Sequence, residues 1–191
     1  MLLKEYDEIS KNYNIGCVGP RFSNYTSGIS KKARLSKKIS QNHYIVPNII
    51  TSSSLFKFKT LKEINFWNES IFLDMADWDL CWRIRKKGKK CFITDAVHME
   101  HKIGDGKKKI LFFSLDLCKP FREYYIIRDG AKLLMYNYVE IRKKVMLLYI
   151  IFIRSLLNIF FLDKKCLRLK YIFIGFCHFL IYKKGALKID E

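Results

Sequence analysis

The stretch Asn68-Glu-Ser-Ile-Phe-Leu-Asp-Met-Ala-Asp-Trp-Asp-Leu-Cys-Trp-Arg83, running on to Gly88 and His101, decides how this chain is read. It gathers Asp74, Asp77 and Asp79 in a protein whose 36 Lys and Arg outweigh 18 Asp and Glu. Asp77 to Lys87 is predicted to be a helix. Asp77 suits the N-cap or first turn, Leu80, Cys81 and Ile84 form an apolar stripe, and cations fill the last turn before Gly88. Residues two apart on a helix point to different sides, so Asp77 and Asp79 take different jobs. One carboxylate at the helix start can face a cleft, where the helix dipole favours its negative charge and it can take a proton from an attacking hydroxyl. The plain structural alternative is a helix cap with surface ion pairs. Asp77-Trp-Asp79 also spells D-x-D, a metal-and-phosphate motif that normally ends a buried strand, and Ile71-Phe-Leu is a poor strand for it.

Around this stretch the chain alternates between strand-like and helical segments. Leu2, Leu3, Tyr6, Ile9 and Tyr13 repeat at helical spacing over residues 1–13, and Asn14 to Arg21 reads as a short buried strand stopped by Gly19-Pro20. Residues 22–42 are a polar, basic loop. Residues 44–58 are β-like, interrupted by the hydroxyl run Thr51-Ser-Ser-Ser54, which either lines a polar pocket or makes a turn. Leu61 to Ile64 is a short helix. Lys90 to Thr94 is a strand, Ala96 to Ile103 a second extended piece, Gly104 to Lys109 a basic loop, and Ile110 to Leu117 extended.

From Pro120 the pattern is helical. Val145–Leu162 and Leu167–Tyr182 are strongly apolar but interrupted by Arg154, Arg168 and Lys170, and flanked by pairs and triplets of cations. They are expected to lie on, or dip into, an anionic membrane face, with buried core helices as the alternative.

Composition narrows the class. The chain has 191 residues, half of them hydrophobic, and a net charge of +18, so it holds one sizeable core and favours an acidic partner. Its six cysteines contain no C-x-x-C pair and no zinc spacing, which fits reduced thiols in a cytoplasmic protein. Nucleic acid is disfavoured as the partner, since no zinc finger, RNA-binding aromatic signature or helix-turn-helix is visible.

Several segments, in order, resemble the family 2 glycosyltransferases of GT-A fold, and most closely their rhamnosyltransferase-like branch for surface polysaccharide. Asp74-Met-Ala-Asp77-Trp-Asp79-Leu-Cys81-Trp-Arg83 resembles the branch pattern D-x-x-D-x-E-x-C-x-R, with Asp79 for Glu. Asn14 to Arg21 resembles its "vGPr" strand. Ile50 to Leu55 resembles its "tSGsL" segment, with Ser53 where Gly is usual. Met99 to Asp105 resembles M-x-H-x-x-G-D, and Arg122-Glu-Tyr-Tyr-Ile-Ile-Arg128 resembles R-x-Y-Y-x-x-R-N, with Asp129 for Asn. Together these cover about residues 1–135.

The resemblance implies an α/β fold: a partial GT-A-type mixed sheet with flanking helices over 1–118, then a membrane-associating helical tail over 119–191. It makes Asp77 the catalytic base. Ser52, Ser53, Ser54, Asp79 and Arg83 would support the acceptor site. Arg122, Tyr124, Tyr125 and Arg128 would contact diphosphate or acceptor. His101 would be a ligand to a divalent metal, Mg or Mn. The implied partners are a nucleotide-sugar such as dTDP-rhamnose, a glycan or lipid-linked acceptor, and the inner face of the cell membrane. The chain also reads as starting after the family's nucleotide-binding half. It is therefore expected to be inactive alone, without a tightly held metal, and to need an upstream-encoded half. A non-catalytic membrane scaffold and a basic nucleic-acid-binding protein are the rival readings.

Overall fold

The computed structural model describes residues 1–24, 36–101, 106–110 and 113–188, with the backbone only for Asn24, Asp74, His101, Ile110 and Phe113. Residues 25–35 of the first expected basic loop, 102–103 of the second expected extended piece and 104–105 of the second loop lie outside the described residues. The chain forms two compact units. One is Met1–Trp67 with Asp77–Ile103, and the other is Asn68–Ala76 with Gly104–Glu191. The second unit therefore begins upstream of the boundary expected at residue 118 and draws in a segment that precedes the acidic helix.

The first unit is a mixed α/β layer. Among the described residues its sheet has five strands in the order β2-β3-β5-β1-β4. They are β1 (Ile15–Asn24), β2 (Lys37–Lys38), β3 (His43–Val46), β4 (Leu55–Phe56) and β5 (Lys90–His101). β1 and β5 run parallel at the centre, and the other pairings are antiparallel. Helix α1 (Leu2–Ser10) buries Tyr6 and Ile9 against Ile15, Val18 and Phe92. Helices α2 (Phe58–Glu63) and α3 (Ala76–Lys86) are also part of this unit, which takes α3 from Asp77 onward. Leu80, Cys81 and Ile84 of α3 meet Cys17 and Cys91 of the central strands in one core cluster.

Two expectations need correction here. β1 does not stop at Gly19-Pro20, and the two extended pieces expected from Lys90 onward are one strand as far as His101. The reason lies in the register. Pro20 pairs with Thr94, but Arg21 pairs with His98, so β5 bulges just where proline offers no N–H to the ladder. Arg21 and Asp95 form an ion pair across this irregularity.

Downstream of residue 104 the second unit has a hairpin, β6 (Lys107–Ile110) and β7 (Phe113–Asp116), so Lys107–Lys109, expected in a basic loop, pair with the expected extended segment instead. Helix α4 (Arg122–Met135) follows, then α5 (Ile141–Tyr149), a π-helical turn (Ile150–Arg154), α6 (Ser155–Phe161) and α7 (Lys165–Leu180). Gly175 lets α7 lie close on α4, since a Cβ there would stand 2.7 Å from the Tyr124 carbonyl oxygen. Ile141–Phe161 is a 21-residue helix, long and apolar enough to cross a membrane by length and composition. Phe152, Phe160, Phe173 and Leu180 are among the large apolar side chains exposed on this unit.

Gly16 sets how closely α3 sits on β1, because a Cβ added there would fall 2.2 Å from Ile84 Cγ2. Gly16→Ala is expected to cost about 1–3 kcal/mol of stability through overpacking. Chemical denaturation of the single variant and of the double variant with Ile84→Ala checks this. The double variant should lose less than the sum of the two single losses.

Candidate active site

α3 forms where its charges suit a helix. Asp77 and Asp79 sit in the first turn and Arg83, Arg85 and Lys86 in the last, each favourable to the dipole. Gly88, at φ +72°, takes the left-handed conformation just beyond the helix end, which glycine adopts without steric cost.

Asp77 is half-buried, and its Oδ1 accepts two hydrogen bonds from Thr51, at 3.3 Å from the backbone N–H and 2.7 Å from Oγ1. Thr51 belongs to the hydroxyl run, and it is the member of that run that touches the carboxylate. Ser52 and Ser53 are exposed, and Ser54 Oγ donates to the Ile50 carbonyl at 2.6 Å. The Ser54 N–H closes a tight turn on the Thr51 carbonyl at 3.1 Å. Ser53 holds φ +56°, a left-handed value that glycine adopts freely, which accounts physically for glycine at this place in the resembling pattern. The hydroxyl segment is therefore a turn that presents Thr51 to Asp77. The sequence marks the hydroxyl run; the fold shows that Thr51 faces the helix start.

Asp79 faces the other way. It is buried and paired with Arg83, whose Nε stands 2.8 Å and Nη2 2.7 Å from Asp79 Oδ2. Arg83 Nη1 also donates to the carbonyls of Ile64 and Phe66, both at 2.6 Å. These two residues thus anchor α3 to the loop after α2. His101 ends β5 opposite Asn24, and its side chain, like that of Asp74, lies outside the described residues.

In the second unit, three of the four residues expected to contact diphosphate or acceptor lie inside the fold. Tyr124, Tyr125 and Arg128 are buried. Arg128 donates to Asp129 at 2.5 Å, to the Tyr124 hydroxyl at 2.8 Å and to the Gly185 carbonyl at 2.7 Å. The Tyr124 hydroxyl also bonds His178 Nδ1 at 2.9 Å, and the Tyr125 hydroxyl accepts the Leu187 N–H at 2.9 Å. Their polar groups serve internal bonds, as a buried cation requires. Arg122 stays half-buried. Asp129 accepts the Phe72 N–H at 2.8 Å, and Lys132 Nζ donates to the Ser70 carbonyl at 3.0 Å, so α4 itself holds residues 68–76. Burial pushes the Lys132 amine down to about 8 and the Asp129 carboxyl up.

A further buried cluster was not visible in the sequence. Glu123 Oε1 accepts from Asn158 at 2.8 Å and Arg168 at 3.1 Å, and Arg168 also donates to the Cys118 carbonyl at 2.7 Å. Burial pushes the Glu123 carboxyl up despite these partners. The cluster joins α4, α6 and α7, and it explains why Arg168 interrupts an apolar helix.

No family model matches the chain, and no solved structure matches it. Among curated proteins it is similar to the dTDP-rhamnosyl transferase RfbF of Shigella flexneri, 28% identical over 92 residues. That alignment takes in 48% of this chain and 31% of the relative, so the match spans about a third of the relative's length. The likeness supports a relationship to glycosyltransferases.

The two first-turn carboxylates should separate by stability. Asp79→Ala, which strands Arg83, is expected to cost about 3 kcal/mol. Asp77→Ala, losing two bonds from Thr51, is expected to cost about 1 kcal/mol. Urea unfolding midpoints of the two variants measure the difference.

Proposed function

We propose that this chain is the acceptor-side part of an inverting, nucleotide-sugar-dependent glycosyltransferase, of family 2 and GT-A type, in its rhamnosyltransferase-like branch. The observation that carries the reading is the Asp77 carboxylate, half-buried at the start of α3 and oriented through Oδ1 by Thr51. In this role Asp77 takes the proton of the acceptor hydroxyl as its oxygen bonds to the anomeric carbon. The bond from that carbon to the diphosphate breaks, the electron pair leaves with the diphosphate, and the configuration inverts. Asp79 and Arg83 hold the helix that presents the base, and the turn at Ser52 to Ser54 borders it. The donor is of the dTDP-rhamnose type and the acceptor a glycan or lipid-linked glycan. His101 would be this chain's candidate ligand to a divalent ion, Mg or Mn, which would supply positive charge against the diphosphate. The partial likeness to a dTDP-rhamnosyl transferase supports this reading.

Rhamnosyl transfer from dTDP-rhamnose to a lipid-linked acceptor, assayed in membranes of the source organism, tests it. Asp77→Asn should lower the rate by about 10²–10⁴-fold, the usual contribution of a general base, at an unchanged level of folded protein. Transfer that is indifferent to Asp77→Asn would favour a non-catalytic scaffold instead.

The same proposal seats the helices from Ile141 to Leu180 on the anionic cytoplasmic face of the cell membrane. Exposed Phe152, Phe160, Phe173 and Leu180 supply apolar contact, and Lys143, Lys144, Lys164, Lys165, Lys183 and Lys184 flank them. Co-sedimentation should show binding to vesicles containing phosphatidylglycerol, weakened by salt, and much less binding to phosphatidylcholine alone. Equal binding to both would remove the electrostatic part of the proposal.

A further inference from the structure

We propose that Glu5, Glu8 and His43 form a binding site for a divalent transition-metal ion of the zinc class, separate from the Asp77 site and independent of the glycosyltransferase reading. One ligand atom from each of the three lies within 4.8 Å of the other two. Glu5 and Glu8 are three apart on α1 and therefore share a face. His43 opens β3, is buried, and turns its Nε2 to Glu5 Oε2 at 2.8 Å. A tetrahedral site with bonds of about 2.0–2.1 Å separates its ligand atoms by about 3.3 Å, which lies within the 4.8 Å that bounds all three spacings here. Glu8 is exposed, so its side chain can swing to complete the set.

The surroundings are those of a braced ligand set. His43 Nδ1 lies 2.9 Å from Ser40 Oγ, and that same oxygen accepts the His43 backbone N–H at 3.2 Å. Thr94, the register partner of His43 on β5, donates its hydroxyl to Glu5 Oε2 at 2.8 Å. A metal at Nε2 requires the proton to sit on Nδ1. The Ser40 hydroxyl can donate to Nδ1 or accept from it, so it suits both the metal-free and the metal-bound tautomer. One imidazole and two carboxylates suit zinc, cobalt or nickel better than magnesium. Three protein ligands leave room for water or a ligand group. A bound ion would fasten α1 to the β2–β3 side of the sheet.

The test is calorimetric titration of the EDTA-stripped, reduced 191-residue chain with zinc, together with the absorption spectrum of the cobalt form. One ion per chain is expected, with a cobalt spectrum free of thiolate charge transfer. Glu8→Gln, at an exposed position that does not carry the core, should weaken binding at least tenfold. Ser40→Ala should weaken it about tenfold through the imidazole. Zinc should raise the melting temperature of the wild type and not of Glu8→Gln. Three results would overturn the proposal: no stoichiometric binding, binding unchanged in both Glu8→Gln and a folded His43→Gln variant, or a thiolate band that puts the ion on cysteines.

Discussion

The rotation of α3 about its own axis is set by the ion pair between Asp79 and Arg83, and much of the first unit depends on it. Arg83 reaches past its carboxylate partner to two backbone carbonyls, so the helix is held both to itself and to the loop after α2. A buried pair of this kind gains little over a well-packed apolar pair, but it tolerates no slip, because an unmatched charge in the interior is costly. Once Asp79 is inside, a helix must carry Asp77 to a different side, where Thr51 meets it. The apolar stripe of Leu80, Cys81 and Ile84 agrees with that rotation. The position of the candidate base thus follows from interactions that are not themselves catalytic.

The second unit uses a different device. Its helix α4 is strongly polar on buried positions: Glu123, Arg128, Asp129 and Lys132 are all inaccessible to solvent. Each is matched, either to another helix or to backbone groups of segments distant in sequence. Such a network specifies an arrangement more than it strengthens one. It binds the 68–76 segment and the 183–187 segment to α4 through directional bonds, where an apolar face alone would allow sliding.

Much of this was legible in the residues. The periodic apolar positions of α1, α3 and α4 mark those helices, and Gly88 marks the end of α3. The course of β1 through Pro20 was not legible, because it depends on a bulge in the partner strand that only pairing reveals. The hold of α4 on the 68–76 segment was not legible for the same kind of reason. Asp129 and Lys132 reach back to Phe72 and Ser70 across about sixty positions, and no local pattern announces such bonds. At the site, the acidic motif and the hydroxyl run were both visible as candidates. Thr51 as the hydroxyl facing Asp77, and the internal commitment of Tyr124, Tyr125 and Arg128, came from the fold.

The cysteines carry a consequence of their own. Cys17, Cys81 and Cys91 meet where α3 lies on the two central strands, and none of them has any solvent-accessible surface. Burial holds the Cys17 thiol well above its ordinary range, which further suppresses its reactivity in the native state. Cys166 is exposed, and Cys118 and Cys177 are partly so, all in the second unit. An alkylating reagent therefore meets a chain with an internal clock. Cys166 is labelled first, while the three inner thiols are labelled only as fast as the sheet and its acidic helix come apart. Counting modified thiols over time would read the opening of the first unit directly, without a ligand or an engineered probe.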